Sequence, residues 1–236
     1  MNRFSMLLRS LFVLMAVSAA IGFNACSSDS PSSPPGPVGS STITVMHANP
    51  GFSSDVIFKQ DTTTLGRLSY GTLKDAMVNN GTRTIDVRAT DGASLTSTSI
   101  TVDSTVSIWV IYTGSSTEKE SFRISNKKLA VTADNAAIRV VHASKTINGN
   151  INVKINSATG LPLTQTPIPY QQSSDYVTVP IASTSKLIIL RSDNTTQLLE
   201  VPVTFVSGKS YTIVVYGSTD VNADPSVKLT YKIEED

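Results

Sequence analysis

His47 and His142 are the only imidazoles in this 236-residue chain, and Cys26 is its only thiol. Those three side chains are where general-base, metal or nucleophile chemistry would be sought first. Neither histidine has a second ligand at the spacing a metal site requires. Each ends a short alternating run, Thr42 to Asn49 or Ala137 to Ser144, on the face that carries Ile43 and Val45 or Ile138 and Val140. A histidine at that position is expected to hydrogen-bond loop backbone and close one end of a β-sandwich. Asp220, Asn222 and Asp224 lack the Asp-x-Asp-x-Asp-Gly order of a calcium loop and read as a polar turn. There is no Gly-x-Ser-x-Gly elbow, no His-Glu-x-x-His and no phosphate-binding glycine loop. The expectation is a protein with no catalytic residue, no cofactor and no metal.

Cys26 has a different context. Arg3 and Arg9 precede an apolar run from Leu11 to Ile21, 11 residues long. That is short of the about 20 residues a membrane-spanning helix needs, but it suits a signal core. Phe23-Asn24-Ala25-Cys26 follows, and a small residue before cysteine at this point resembles a bacterial lipobox. The expectation is a signal peptide over 1–25, cleavage before Cys26, and acylation of that cysteine, palmitate included. A lone thiol then serves as a membrane anchor. Residues 26–40, rich in serine and proline, read as a tether that could hold the folded part roughly 45 Å from the membrane if extended.

With Arg3 and Arg9 removed, 17 basic residues face 18 acidic ones. A near-neutral chain offers no electrostatic footprint for nucleic acid. Without disulfides, packing alone must hold the fold, which about 95 residues per domain can achieve.

The strongest internal signal is a repeat. Thr42–Asn49 matches Ala137–Ser144 at an offset of 95, and Val56–Lys59 matches Ile151–Lys154 at the same offset. Tyr70 pairs with Tyr170 at 100, Asp91-Gly92 with Asp193-Asn194 at 102, Trp109–Tyr112 with Ile213–Tyr216 at 104, and Phe122–Ile124 with Tyr231–Ile233 at 109. Growing offsets are what loop insertions produce. The runs are short, rich in Val, Ile and Thr, and bounded by turns such as Asn80-Gly81, Asp91-Gly92 and Ser207-Gly208, which is strand pattern. Tyr70 to Val78 reads as one helical turn or a loop. The fold class expected is all-β: two tandem immunoglobulin-like or transthyretin-like sandwiches, over 41–126 and 137–236, with 127–136 as linker. Each is expected to fold on its own.

Trp109, Tyr112, Tyr211 and Tyr216 fall in or beside runs apolar on both faces, so they read as core of central strands. Tyr70 and Tyr170 adjoin Gly71 and Pro169 near loops. Together with His47 and His142 they are the candidate loop or partner contacts, beside the loops 49–54 and 145–150.

Val140-Val141-His142-Ala143-Ser144 followed by Ile151–Asn156, with Tyr176–Ala182 later, resembles the bacterial domain-of-unknown-function family DUF4397, here as two copies behind a lipoprotein signal. Copy one keeps His47-Ala48 but has Asn49 for serine; copy two has Lys145 where proline is usual, and Ile57 and Asn152 stand where the family carries a strand aspartate. The family has no established activity, so the resemblance implies fold and an envelope location. The function expected is a lipid-anchored envelope protein, on the periplasmic or outer face of the outer membrane, binding an unidentified protein or glycan. The alternatives are a subunit of a fimbria or adhesin complex, and an unrecognised hydrolase.

Overall fold

The computed structural model describes residues 39–127 and 129–236. The expected signal segment 1–25, the expected anchor Cys26 and the expected tether as far as Val38 lie outside the described residues. Among those described, no helix is long and apolar enough to cross a membrane, and helix is confined to two 3₁₀ turns at Ile181–Ser183 and Pro225–Val227.

The chain is an all-β protein built as two sandwiches. In the first half, β1 (Ser40–His47), β4 (Leu73–Asn79), β7 (Ser107–Gly114) and β8 (Lys119–Asn126) form a sheet in the order β4-β1-β7-β8. It faces a second sheet, β3-β2-β5-β6, made of β2 (Val56–Gln60), β3 (Thr63–Leu68), β5 (Gly81–Ala89) and β6 (Ser94–Val102). In the second half, β9 (Asn135–His142) pairs in parallel with β15 (Ser210–Tyr216), as β1 does with β7. β9 also pairs with β11 (Gln172–Ser173) and β12 (Val177–Pro180), and β15 pairs with β16 (Thr230–Glu235). The opposing sheet is β10 (Ile151–Ile155), β13 (Lys186–Arg191) and β14 (Gln197–Pro202).

Period 2 decides what each strand buries. Ile43 and Val45 of β1, and Ile108, Val110 and Tyr112 of β7, fill the first sandwich with Phe58, Ile85 and Val87. Ile138 and Val140 of β9, and Tyr211, Ile213 and Val215 of β15, fill the second with Val153, Leu187 and Ile189. The turns foreseen at Gly81, Gly92 and Gly208 all have positive φ.

The other faces of these central strands are also buried, and what covers them is the opposite half. Met46, Ala48, Trp109, Ile111, Phe122 and Ile124 pack against Val141, Ala143, Val214 and Tyr216 in a third apolar cluster. The runs apolar on both faces are therefore strands sandwiched between two cores. Removing either half would strip an apolar wall from the other, which the expectation of independently folding halves did not include.

Two sequence readings change. Leu73–Asn79 is a strand, antiparallel to β1, and not a helical turn or loop. It is an edge strand that buries only Ala76 and Val78, so Lys74, Asp75 and Met77 blur its alternation. The offset for the closing strands also shifts. Because Ile43 lies opposite Ile108 and Ile138 opposite Tyr211, Trp109 corresponds to Thr212 at an offset of 103, not 104. Phe122 likewise corresponds to Lys232 at 110, not 109. One residue of slip exchanges the two faces of a strand; the corrected offset keeps Tyr112 and Val215 in their own cores and Ile111 and Val214 on the seam.

Candidate functional site

The two histidines sit identically. His47 and His142 are both 0% exposed. The Nε2 atom of His47 lies 3.0 Å from the Ser54 carbonyl, and Nδ1 accepts from the Asn49 N–H at 3.4 Å. For His142 the partners are the Gly149 carbonyl at 3.3 Å and the Ser144 N–H at 3.4 Å. One ring nitrogen accepts and the other donates, so the geometry fits the neutral imidazole carrying its proton on Nε2. Burial lowers both pKa values; the carbonyl contact opposes it, yet His142 is pushed down to about 4. These imidazoles close one end of each sandwich and have no surface for a partner to touch. Among the described residues, no three His, Cys, Asp or Glu are grouped to hold a metal ion.

The candidate tyrosines lie beside them, on the seam. The Tyr70 ring meets His47 edge-on at 5.7 Å and Tyr216 of the other half at 5.6 Å. Tyr170 meets His142 at 5.8 Å and donates its hydroxyl hydrogen to Glu120 Oε2 at 2.7 Å. The residue after each tyrosine takes a left-handed conformation, and its N–H bonds the histidine carbonyl at 2.8 Å. In the first half that residue is Gly71, where a Cβ would sit 2.8 Å from the Tyr216 hydroxyl. In the second it is Gln171, whose side chain has work across the seam: Nε2 donates to Glu120 Oε2 at 2.9 Å.

Glu120 is thus a hub that sequence reasoning missed. It accepts from Tyr170, Gln171 and Lys145 Nζ, the last at 2.6 Å, and Lys145 also pairs with Glu118. Partial burial tends to raise its pKa, but the three donors outweigh it and hold the carboxyl below the usual value. Thr113 adds a cross-seam bond from its hydroxyl to the Ala143 carbonyl at 2.5 Å. Arg139, 2% exposed, holds the opposite end: it donates to Thr212 Oγ1 at 2.9 Å and to the Ser125 carbonyl at 3.3 Å, and lies 5.1 Å from the Tyr176 ring. Its signal in the sequence was a lone cation in the apolar run Ala136 to Ala143.

Two open cavities border the seam. One, of about 550 Å³, lies among Thr44, Asp75, Thr105, Trp109 and Glu234. Burial, with Asp75 and Asp236 adding to it, raises the Glu234 pKa. The other, of about 530 Å³, is floored by the loop 145–150 and walled by Glu120, Tyr170 and Gln171. The expected contact loop of the second half therefore forms a groove against the polar clamp. The loop 49–54 behaves differently: Asn49 is buried, donating to the Thr113 carbonyl at 2.9 Å and accepting from the Gly51 N–H.

No curated protein matches the chain significantly. Among solved structures, a fimbrial assembly protein from Parabacteroides distasonis ATCC 8503 aligns at 10% identity over 84% of this chain and 99% of its own, with a TM-score of 0.22. So loose a superposition carries no argument about fold or role. Residues 41–154, the first sandwich and the second as far as β10, match the model of the family described as "Domain of unknown function (DUF4397)".

Proposed function

We propose that this protein is an envelope lipoprotein, anchored through Cys26, that works by contact and carries no catalytic site, with an unidentified protein or glycan as partner. The reading also takes the second half as a further copy of the DUF4397 fold, on the strength of the matching histidine, tyrosine and left-handed turn in each half. The observation that carries the contact reading is the state of the histidines. An imidazole is the side chain best poised to move protons near neutral pH, and both are buried with both nitrogens engaged. The seam joins the halves into one scaffold, and loops held on such a scaffold are where recognition is built.

The groove over 145–150 is the contact surface. Asn148 is its exposed tip. Asn148→Arg places a bulky cation there without touching either core. After crosslinking on intact cells, the variant should keep the wild-type melting temperature and lose the retained partner. Full retention by the variant would remove the groove from the account. A ladder of crosslinked copies would identify a subunit of a surface assembly instead.

A further inference from the structure

The chain contains two Asn-Gly steps, Asn80-Gly81 and Asn148-Gly149, and the structure treats them oppositely. Asn80 is half-buried and tied at three atoms. Its Oδ1 accepts from Ser41 Oγ at 2.6 Å, its carbonyl accepts from Arg83 Nη2 at 2.7 Å, and its N–H donates to the Gly39 carbonyl at 2.7 Å. Gly81 already belongs to β5 and pairs with Val102. Asn148 and Gly149 are both exposed. Among the described residues, neither the Asn148 side chain nor the Gly149 N–H makes a hydrogen bond. Gly149 has φ of 97° and no Cβ to shield its nitrogen.

We propose that Asn148-Gly149 is a site of spontaneous deamidation, with water as the co-reactant. The Gly149 nitrogen, having lost its proton to solvent base, attacks Asn148 Cγ and forms a C–N bond. The Cγ–Nδ2 bond breaks and the amide leaves as ammonia. Water then opens the five-membered imide at one carbonyl to aspartate or at the other to isoaspartate. No oxidant or reductant enters the balance.

The location gives the reaction consequences. Immediately after this step the loop is held by two carbonyls: Gly149 O against His142 Nε2 at 3.3 Å, and Asn150 O accepting from the Ser192 N–H at 3.0 Å. Isoaspartate adds a carbon to the main chain beside those anchors, so Gly149 O is drawn off His142. Aspartate places a new negative charge in the groove that Lys145 and Glu120 border. The groove thus changes charge and shape with the age of the molecule. This inference is independent of the contact reading, because it concerns the loop whether or not a partner binds there.

Peptide mapping by mass spectrometry tests it on the full chain aged in oxygen-18 water at neutral and mildly alkaline pH. Folded protein should convert at Asn148 at least about tenfold faster than at Asn80, the kinetic equivalent of the hydrogen bonds that restrain Asn80. Conversion should take up one heavy oxygen and accelerate with pH. In urea-unfolded protein the two steps should converge. Asn148→Gln should abolish the modified peptide while leaving the melting temperature unchanged. Equal conversion at both sites in the folded chain, or an unmodified Asn148 while the unfolded chain reacts, would overturn the proposal.

Discussion

Val214→Ala is the sharpest probe of the seam, because Val214 belongs to the second half while the reporter belongs to the first. Val214 is 0% exposed and packs in the cluster that contains Trp109, itself 1% exposed and the only tryptophan of the chain. The substitution removes two methyl groups, worth about 1.6 kcal/mol in transfer at 0.8 kcal/mol per group. A cavity that relaxes incompletely brings the total to about 2–3 kcal/mol. For a protein of this size that corresponds to a fall in Tm of about 4–12 °C. Urea unfolding followed by Trp109 emission and by far-ultraviolet circular dichroism reads both the loss and its cooperativity. Wild type should show a blue-shifted native emission and coincident transitions, and the variant an earlier midpoint in both signals. Leu161→Ala, at a residue 77% exposed, is the control and should stay within about 0.5 kcal/mol of wild type. An unchanged midpoint in Val214→Ala, with native emission of a water-exposed indole, would refute the seam.

Three further outcomes are expected. The folded state holds His142 near a pKa of about 4 against 6.5 for the free side chain, so the unfolded chain binds more protons between those values. Stability is then complete above pH 6.5 and declines towards pH 4 by on the order of 3 kcal/mol from this group, a dependence that His142→Gln should flatten in denaturant titrations across that window. Glu120→Gln keeps the shape of the clamp but loses the Lys145 ion pair; since Glu120 is partly exposed, the cost should be about 1 kcal/mol or less, shrinking as pH falls below the carboxyl's ordinary pKa, where the unfolded chain takes up the proton before the folded one. Cys26→Ser should move the protein from the membrane pellet to the soluble fraction, and normal processing with retention in the pellet would contradict the anchor.

The sandwiches and the face of each histidine were legible in the sequence because alternation in β1 and β5 is nearly unbroken and β9 repeats the β1 pattern at an offset of 95. The seam was half legible. Runs apolar on both faces, Ile108 to Tyr112 and Ile213 to Tyr216, required a second covering surface, but periodicity does not say whose surface it is. β4 was hidden because an edge strand buries few residues and need not alternate cleanly. The clamp at Glu120 was invisible for a related reason: its partners Lys145, Tyr170 and Gln171 come from loops and turns whose register no repeat pattern sets. The tyrosines beside the histidines drew notice as exposed loop residues, whereas the left-handed turn at Gly71 and Gln171 carries them onto the seam.

The contact account is tested most directly by placing a photocrosslinking amino acid at position 148 in the full-length protein and irradiating intact cells. The account predicts a discrete adduct of one partner from position 148, and none from a probe at exposed Thr64 on the far sheet of the first half. No adduct from 148, or equal labelling from 148 and Thr64, would contradict it, as would robust substrate turnover by purified protein in which position 148 is blocked.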